Sequence, residues 1–161
     1  MTVTPLRHGG ADPLDRTGGP LGDLARFGDR PALRTAGTTV TYEALAARVR
    51  SRADELGPVR RLVLLECGTD LETVTTYLAA LEGAHPVLLT GGGADVARLA
   101  DRYRPDVVAT AAGLEERGAG SRHRLHPDLA LLLSTSGSSG APKLVRLSAD
   151  NVRSNAESIA A

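Results

Sequence analysis

The residues best equipped for chemistry lie in one stretch, Ser134-Thr135-Ser136-Gly137-Ser138-Ser139-Gly140-Ala141-Pro142-Lys143. Gly137 and Gly140 have no Cβ, so their backbone can turn successive N–H groups toward a single anion. The hydroxyls of Thr135, Ser136, Ser138 and Ser139 add donors, Lys143 supplies a compensating point charge, and Pro142 fixes the approach of that lysine. Donors and charge in this combination suit phosphate. Among 19 basic residues Lys143 is the only lysine, so a drift toward arginine has spared this one position.

Other readings of the same residues are weaker. A Ser/Thr/Gly tract has the composition of a flexible linker. Linkers join domains, however, and this tract lies between two strand-like apolar segments, Leu129 to Leu133 and Leu144 to Leu147. A Walker loop would need Gly-Lys-Ser/Thr opening a helix, and a hydrolase elbow would need Gly-x-Ser-x-Gly; neither is present. His123 and His126, in an arginine-rich stretch, read as solvated surface residues rather than a metal pair. Cys67, at a strand end, reads as a small buried hydrophobe. No catalytic residue and no metal ligand is assigned.

The flanking elements set where the loop stands. Residues 1–30 form an irregular lead-in with a short helix from Leu21 to Phe27 ended by Gly28, and the organised unit covers 31–161. Ala32 to Arg34 and Thr38 to Val40 suggest a hairpin around Ala36-Gly37. Thr41 reads as an N-cap, with Leu45, Val49, Ala53 and Leu56 at helical spacing up to Gly57. A strand-helix rhythm follows. It comprises a strand at Leu62 to Leu65, a helix with Leu71, Val74, Leu78 and Leu81, a strand at His85 to Thr90, a helix at Asp95 to Tyr103, and a strand at Asp106 to Thr110. The spacing of Thr69 and Glu72 predicts a capping box on the first of these helices, with Asp70 also serving its N-terminus. Residues 111–127, rich in Gly, Arg, Glu and His, read as a surface connection before the strand Leu129 to Leu133. After the loop and a second strand, Ser148 caps a helix carrying Val152, Ala156 and Ile159 on one face. Alternation of this kind predicts an α/β fold, a mostly parallel sheet with flanking helices.

Bulk properties narrow the partners. The 161 residues suffice for one core, and the 19 acidic residues balance the 19 basic ones without a basic block interleaved with aromatics, so no nucleic-acid partner is expected. A single cysteine excludes an internal disulfide framework and points to a reducing, cytoplasmic setting. No apolar run is long enough to span a membrane, and none is expected to anchor the chain.

The loop from Ser134 to Lys143 resembles the Ser/Thr/Gly-rich signature of the adenylate-forming superfamily, which includes acyl- and aryl-CoA synthetases, peptide-synthetase adenylation domains and luciferases. Leu147-Ser148-Ala149-Asp150-Asn151 resembles the family's Thr/Ser-His-x-Asn opening of the next helix. Upstream, Thr39 to Leu45 and Leu81 to Val87 resemble its first hairpin and helix and its Gly-Ala-x-x-Val-Pro strand entry. Two departures stand out: Leu144 replaces a common glycine after the lysine, and Ala149 a common histidine. The resemblance covers roughly residues 30–161 and implies an N-terminal subdomain of an AMP-forming ligase. Such a ligase activates a carboxylic acid with Mg-ATP as an acyl-adenylate and passes the acyl group to CoA or a carrier-protein thiol. By that resemblance Thr135, Ser136, Gly137, Ser138, Ser139 and Gly140 hold phosphates and Lys143 neutralises the leaving pyrophosphate. The family's adenine pocket, ribose-binding aspartate and catalytic lysine come later in its chains, so this chain alone is expected to be inactive. It would be a fragment, or one half of a split enzyme completed by a second chain, and it could form a homo-oligomer. The alternative is a non-catalytic assembly module working through a partner.

Overall fold

Four apolar runs build the centre of the structure. The computed structural model describes residues 23–35, 37–135 and 143–160. A hairpin of β1 (Pro31–Thr35) and β2 (Thr38–Thr41) leads into α1 (Tyr42–Leu56). There follow β3 (Val63–Glu66), α2 (Leu71–Glu82), β4 (Val87–Thr90), α3 (Ala94–Tyr103), β5 (Val107–Thr110) and β6 (Gly113–Glu116). The chain then forms β7 (Leu129–Thr135), β8 (Lys143–Ser148) and α4 (Ala149–Ala160). The main sheet runs β6-β5-β3-β4-β7-β8. Its four central strands are parallel and its two edge strands antiparallel. This is the expected α/β architecture.

The runs are continuously apolar because both sheet faces are covered. One face presents Val63, Leu65, Val87, Val107, Ala109 and Leu131 to α1 and α2. The other presents Leu64, Leu88, Val108 and Leu132 to Leu99 and Ala100 of α3. Helix α2 follows β3 on one face, and α3 follows β4 on the other, so the chain switches sides between neighbouring strands.

Local capping largely follows the sequence. Thr41 Oγ1 accepts the Ala44 N–H at 3.2 Å. Ser148 Oγ accepts the Asn151 N–H at 3.1 Å while Asn151 Oδ1 accepts the Ser148 N–H at 3.0 Å, a reciprocal capping box. Two expectations are corrected. Helix α2 is capped by Asp70, whose carboxylate accepts the Thr73 N–H at 2.9 Å, and not by Thr69. Glu72, in the first turn, directs its carboxylate to Arg48 and Arg52 on α1 rather than back to a capping box. The stretch 111–127 is also more than a connection, because Gly113–Glu116 forms β6. There Leu114 packs on the core, and Glu116 pairs with the buried Arg61 at 2.9 Å. The predicted first helix is a 3-10 helix over Leu24–Phe27, ended by Gly28 as expected; residues 21 and 22 lie outside the described residues.

Two side chains tie the amino ends of the strands together. Arg60 donates to the carbonyls of Ala84 (2.7 Å), Leu125 (3.2 Å), Pro127 (3.1 Å) and Leu129 (2.7 Å), fixing where β7 begins. Asp106, fully buried, accepts the N–H groups of Leu62 (2.9 Å) and Arg122 (2.8 Å). No helix among the described residues is long and apolar enough to cross a membrane.

Candidate phosphate-binding site

The loop is suspended from the end of a buried strand. Ala130, Leu131 and Leu132 anchor β7 in the core, and its carboxyl end carries Ser134 and Thr135 out to the sheet rim. Strand β8 returns antiparallel, with Leu133 opposite Val145, Ser134 opposite Leu144 and Thr135 opposite Lys143. Backbone pairing therefore closes the loop at both ends and places Thr135 and Lys143 face to face. Ser136, Gly137, Ser138, Ser139 and Gly140 lie outside the described residues, as do Ala141 and Pro142. For Thr135 and Lys143 the backbone position in the ladder is the structural finding. Leu144, the departure after the lysine, sits within β8 and packs against the α3 face of the core.

The carboxyl edge of a parallel sheet at a side-switch is where open α/β folds bind ligands. At this edge β3 ends on Glu66 and β4 on Thr90, opposite each other in register. A second glycine-rich turn, Gly91 to Gly93, lies here and opens α3. Glu66 Oε1 accepts the Gly93 N–H at 3.3 Å, which sets a carboxylate beside this helix N-terminus. Gly92, at φ +97°, leaves room for that carboxylate: a Cβ there would stand 2.6 Å from Glu66 Oε1. A carboxylate beside a helix N-terminus opposes the approach of a phosphate. The β7–β8 loop remains the phosphate candidate at this rim.

Sequence reasoning missed Glu66 and the three glycines. The signal was an acid at a strand end followed, one strand later, by a glycine run. Cys67 is exposed rather than buried, which corrects the expectation. What burial its sulfur has pushes the thiol pKa up, with the Thr90 backbone opposing, so it is no activated thiolate. His123 and His126 do not converge: His123 Nε2 meets the Arg104 carbonyl at 2.9 Å, while exposed His126 lies beside Asp128.

No protein-family model matches the chain, and no curated protein does. Solved structures do. The N-terminal subdomain of Klebsiella oxytoca NpsA, in complex with 3-hydroxyanthranilyl-AMSN, aligns over 78% of this chain and 38% of its own, with TM-score 0.59 and 20% identity. ATP-bound MatB from Rhodopseudomonas palustris aligns over 84% of this chain and 36% of its own, with TM-score 0.62 and 22% identity. IdnL1 aligns over 86% and 34%, with TM-score 0.65 and 21% identity. This chain has the fold of the N-terminal part of the adenylate-forming enzymes. It spans between 34% and 38% of the length of these three structures. Within the adenylate-forming fold, the β7–β8 loop is the segment whose residue types suit a polyphosphate.

Proposed function

We propose that this chain supplies the phosphate-gripping part of an ATP-dependent, AMP-forming ligase that activates a carboxylic acid as its acyl-adenylate, in the manner of an acyl-CoA synthetase. One observation carries the reading: a loop of hydroxyls, glycines and a single lysine, closed by the Thr135–Lys143 pair, hangs at the carboxyl end of a central strand. The adenylate-forming fold supports it. Thr135, Ser136, Gly137, Ser138, Ser139 and Gly140 contribute hydroxyl and backbone N–H donors to the β- and γ-phosphates. Lys143 offsets charge accumulating on the departing pyrophosphate, where fixed donors contribute most. ATP, as substrate, supplies the electrophilic phosphorus and the leaving group. Mg2+ carried by ATP would offset part of the triphosphate charge. CoA or a carrier-protein thiol is the acceptor in this reading, and the cytoplasm its setting. Residues beyond those gripping phosphate come from the rest of a longer protein or from a complementing chain. Pyrophosphate exchange tests the proposal: the longer protein, or this chain with the product of the neighbouring gene, exchanges pyrophosphate into ATP with a carboxylic acid. Absence of exchange across a panel of aliphatic and aryl acids defeats it.

A second reading, an assembly module, rests on what α4 and β8 leave open. Ile159 is 79% exposed, Val145 on the edge strand is 43% exposed, and a cavity of about 290 Å3 lies between Val152 and Ala156 of α4 and Leu81, Ala84 and Leu129. Unpaired sheet edges and apolar patches favour association. A stoichiometric complex that leaves ligase activity unchanged would favour this reading.

A further inference from the structure

At the amino end of the strands, remote from the β7–β8 loop, two segments that carry four arginines meet. Arg102 and Arg104 close α3; Arg122 and Arg124 flank His123, whose ring nitrogen rests on the Arg104 carbonyl at 2.9 Å and so brings the two segments together. All four arginines are exposed. The platform is built: buried Asp106 pins the second segment through the Arg122 N–H (2.8 Å) and the Ser121 hydroxyl (3.3 Å). None of the four has a carboxylate partner among the described residues. Arg102 lies over the Tyr103 ring at 5.6 Å, and Arg122 donates to the Arg117 carbonyl. Of the neighbouring acids, Glu115 is engaged by Arg117 and Glu116 by Arg61, which leaves Asp101 and the buried Asp106 against the four arginines. Four arginines against two acids leave a net excess of positive charge at this place in a chain of net charge zero.

We propose that this arginine surface docks an acidic segment of a partner protein. Guanidinium forks bind carboxylates in pairs, and a positive patch steers an acidic partner into register. The neighbourhood favours a compact acidic segment over a long polyanion. Asp101 on α3, with Glu115 and Glu116 on β6, would border the path of a nucleic-acid strand. The surface is independent of the phosphate loop, so both can be occupied together.

The test uses a fluorescent decaglutamate peptide and a ten-nucleotide single-stranded DNA of equal label at low salt. The peptide is expected to bind, with affinity falling as salt rises. Binding should weaken about tenfold in the Arg102→Glu/Arg124→Glu variant and remain unchanged in an Arg34→Glu control, the DNA binding less well than the peptide. Urea unfolding verifies the fold. If the Glu variant does not fold, Arg102→Gln/Arg124→Gln replaces it, with a several-fold loss expected. The proposal is overturned by no peptide binding, by equal binding to wild type and the folded variant, or by tighter binding of the DNA.

Discussion

Replacing Arg60 with methionine should cost this protein about 2–4 kcal/mol of unfolding free energy. The guanidinium reaches the Leu125 and Leu129 carbonyls in part-buried positions and those of Ala84 and Pro127 in exposed ones. A part-buried acceptor that loses a charged donor forfeits roughly 1–3 kcal/mol, while an exposed one recovers most of its loss from water. Two part-buried bonds, each taken in the lower half of that span at roughly 1–2 kcal/mol because water reaches part of each acceptor, give the range. Methionine keeps the apolar stem in contact, so the change isolates the hydrogen bonds. Burial lowers the pKa of Arg60, with Asp128 opposing, but a guanidinium remains charged at any pH used here. Because these bonds fix the start of β7, the damage should be local as well as global. Amides of Leu131 to Leu133 should lose hydrogen-exchange protection more than those of β5. Arg60→Lys, a point charge without the fork, should recover no more than about 1 kcal/mol. Urea unfolding with exchange measured by NMR checks both. An Arg60→Met stability within 0.5 kcal/mol of wild type, read against the roughly 1 kcal/mol typical of one hydrogen bond, would refute the reasoning.

Other expectations follow from single sites. Leu64→Ala, at a fully buried position between β4 and β5, should cost about 2–5 kcal/mol in chemical denaturation and leave far-UV circular dichroism unchanged. Ser148→Ala removes one half of a reciprocal cap and should cost about 1 kcal/mol, with Ser148→Asn recovering most of it. Buried His85 has its pKa lowered by burial and then by the Arg61 charge, while its Nδ1 accepts the Arg61 N–H at 3.0 Å. The folded state therefore resists a proton that the unfolded chain takes up near pH 6.5, so stability holds above that pH and declines as pH falls below it. Urea midpoints between pH 7.5 and 5.0 should show this slope in wild type and a flatter one in His85→Gln. Equal slopes would contradict it.

The features legible in the sequence were those encoded locally. Thr41 and Ser148 sit at the start of periodic stretches, where a hydroxyl has one obvious use, and both cap as read. The parallel strands announced themselves as unbroken apolar runs. Thr69 and Asp70 were harder, since adjacent residues can both accept and backbone geometry decides between them; Asp70 holds the extended conformation and takes the cap. Strand β6 has no apolar alternation of its own. Its existence depends on β5 offering an edge and on Arg61 drawing in Glu116 from 55 residues away. The β7–β8 loop was conspicuous by composition, whereas its closure by the Thr135–Lys143 pair and the bond from the Gly93 N–H to Glu66 are long-range facts that spacing does not contain.

The central claim is that the β7–β8 loop grips the phosphates of ATP through Lys143. It is tested most directly by titrating ATP into this chain while following backbone amides by NMR, for wild type and Lys143→Ala. The account predicts shifts confined to Ser134 through Leu144 and the adjoining rim, with affinity at least about tenfold weaker in the variant, equivalent to roughly 1.4 kcal/mol. Shifts centred on Gly91 to Gly93 or elsewhere, or equal affinity in the two proteins, would contradict it.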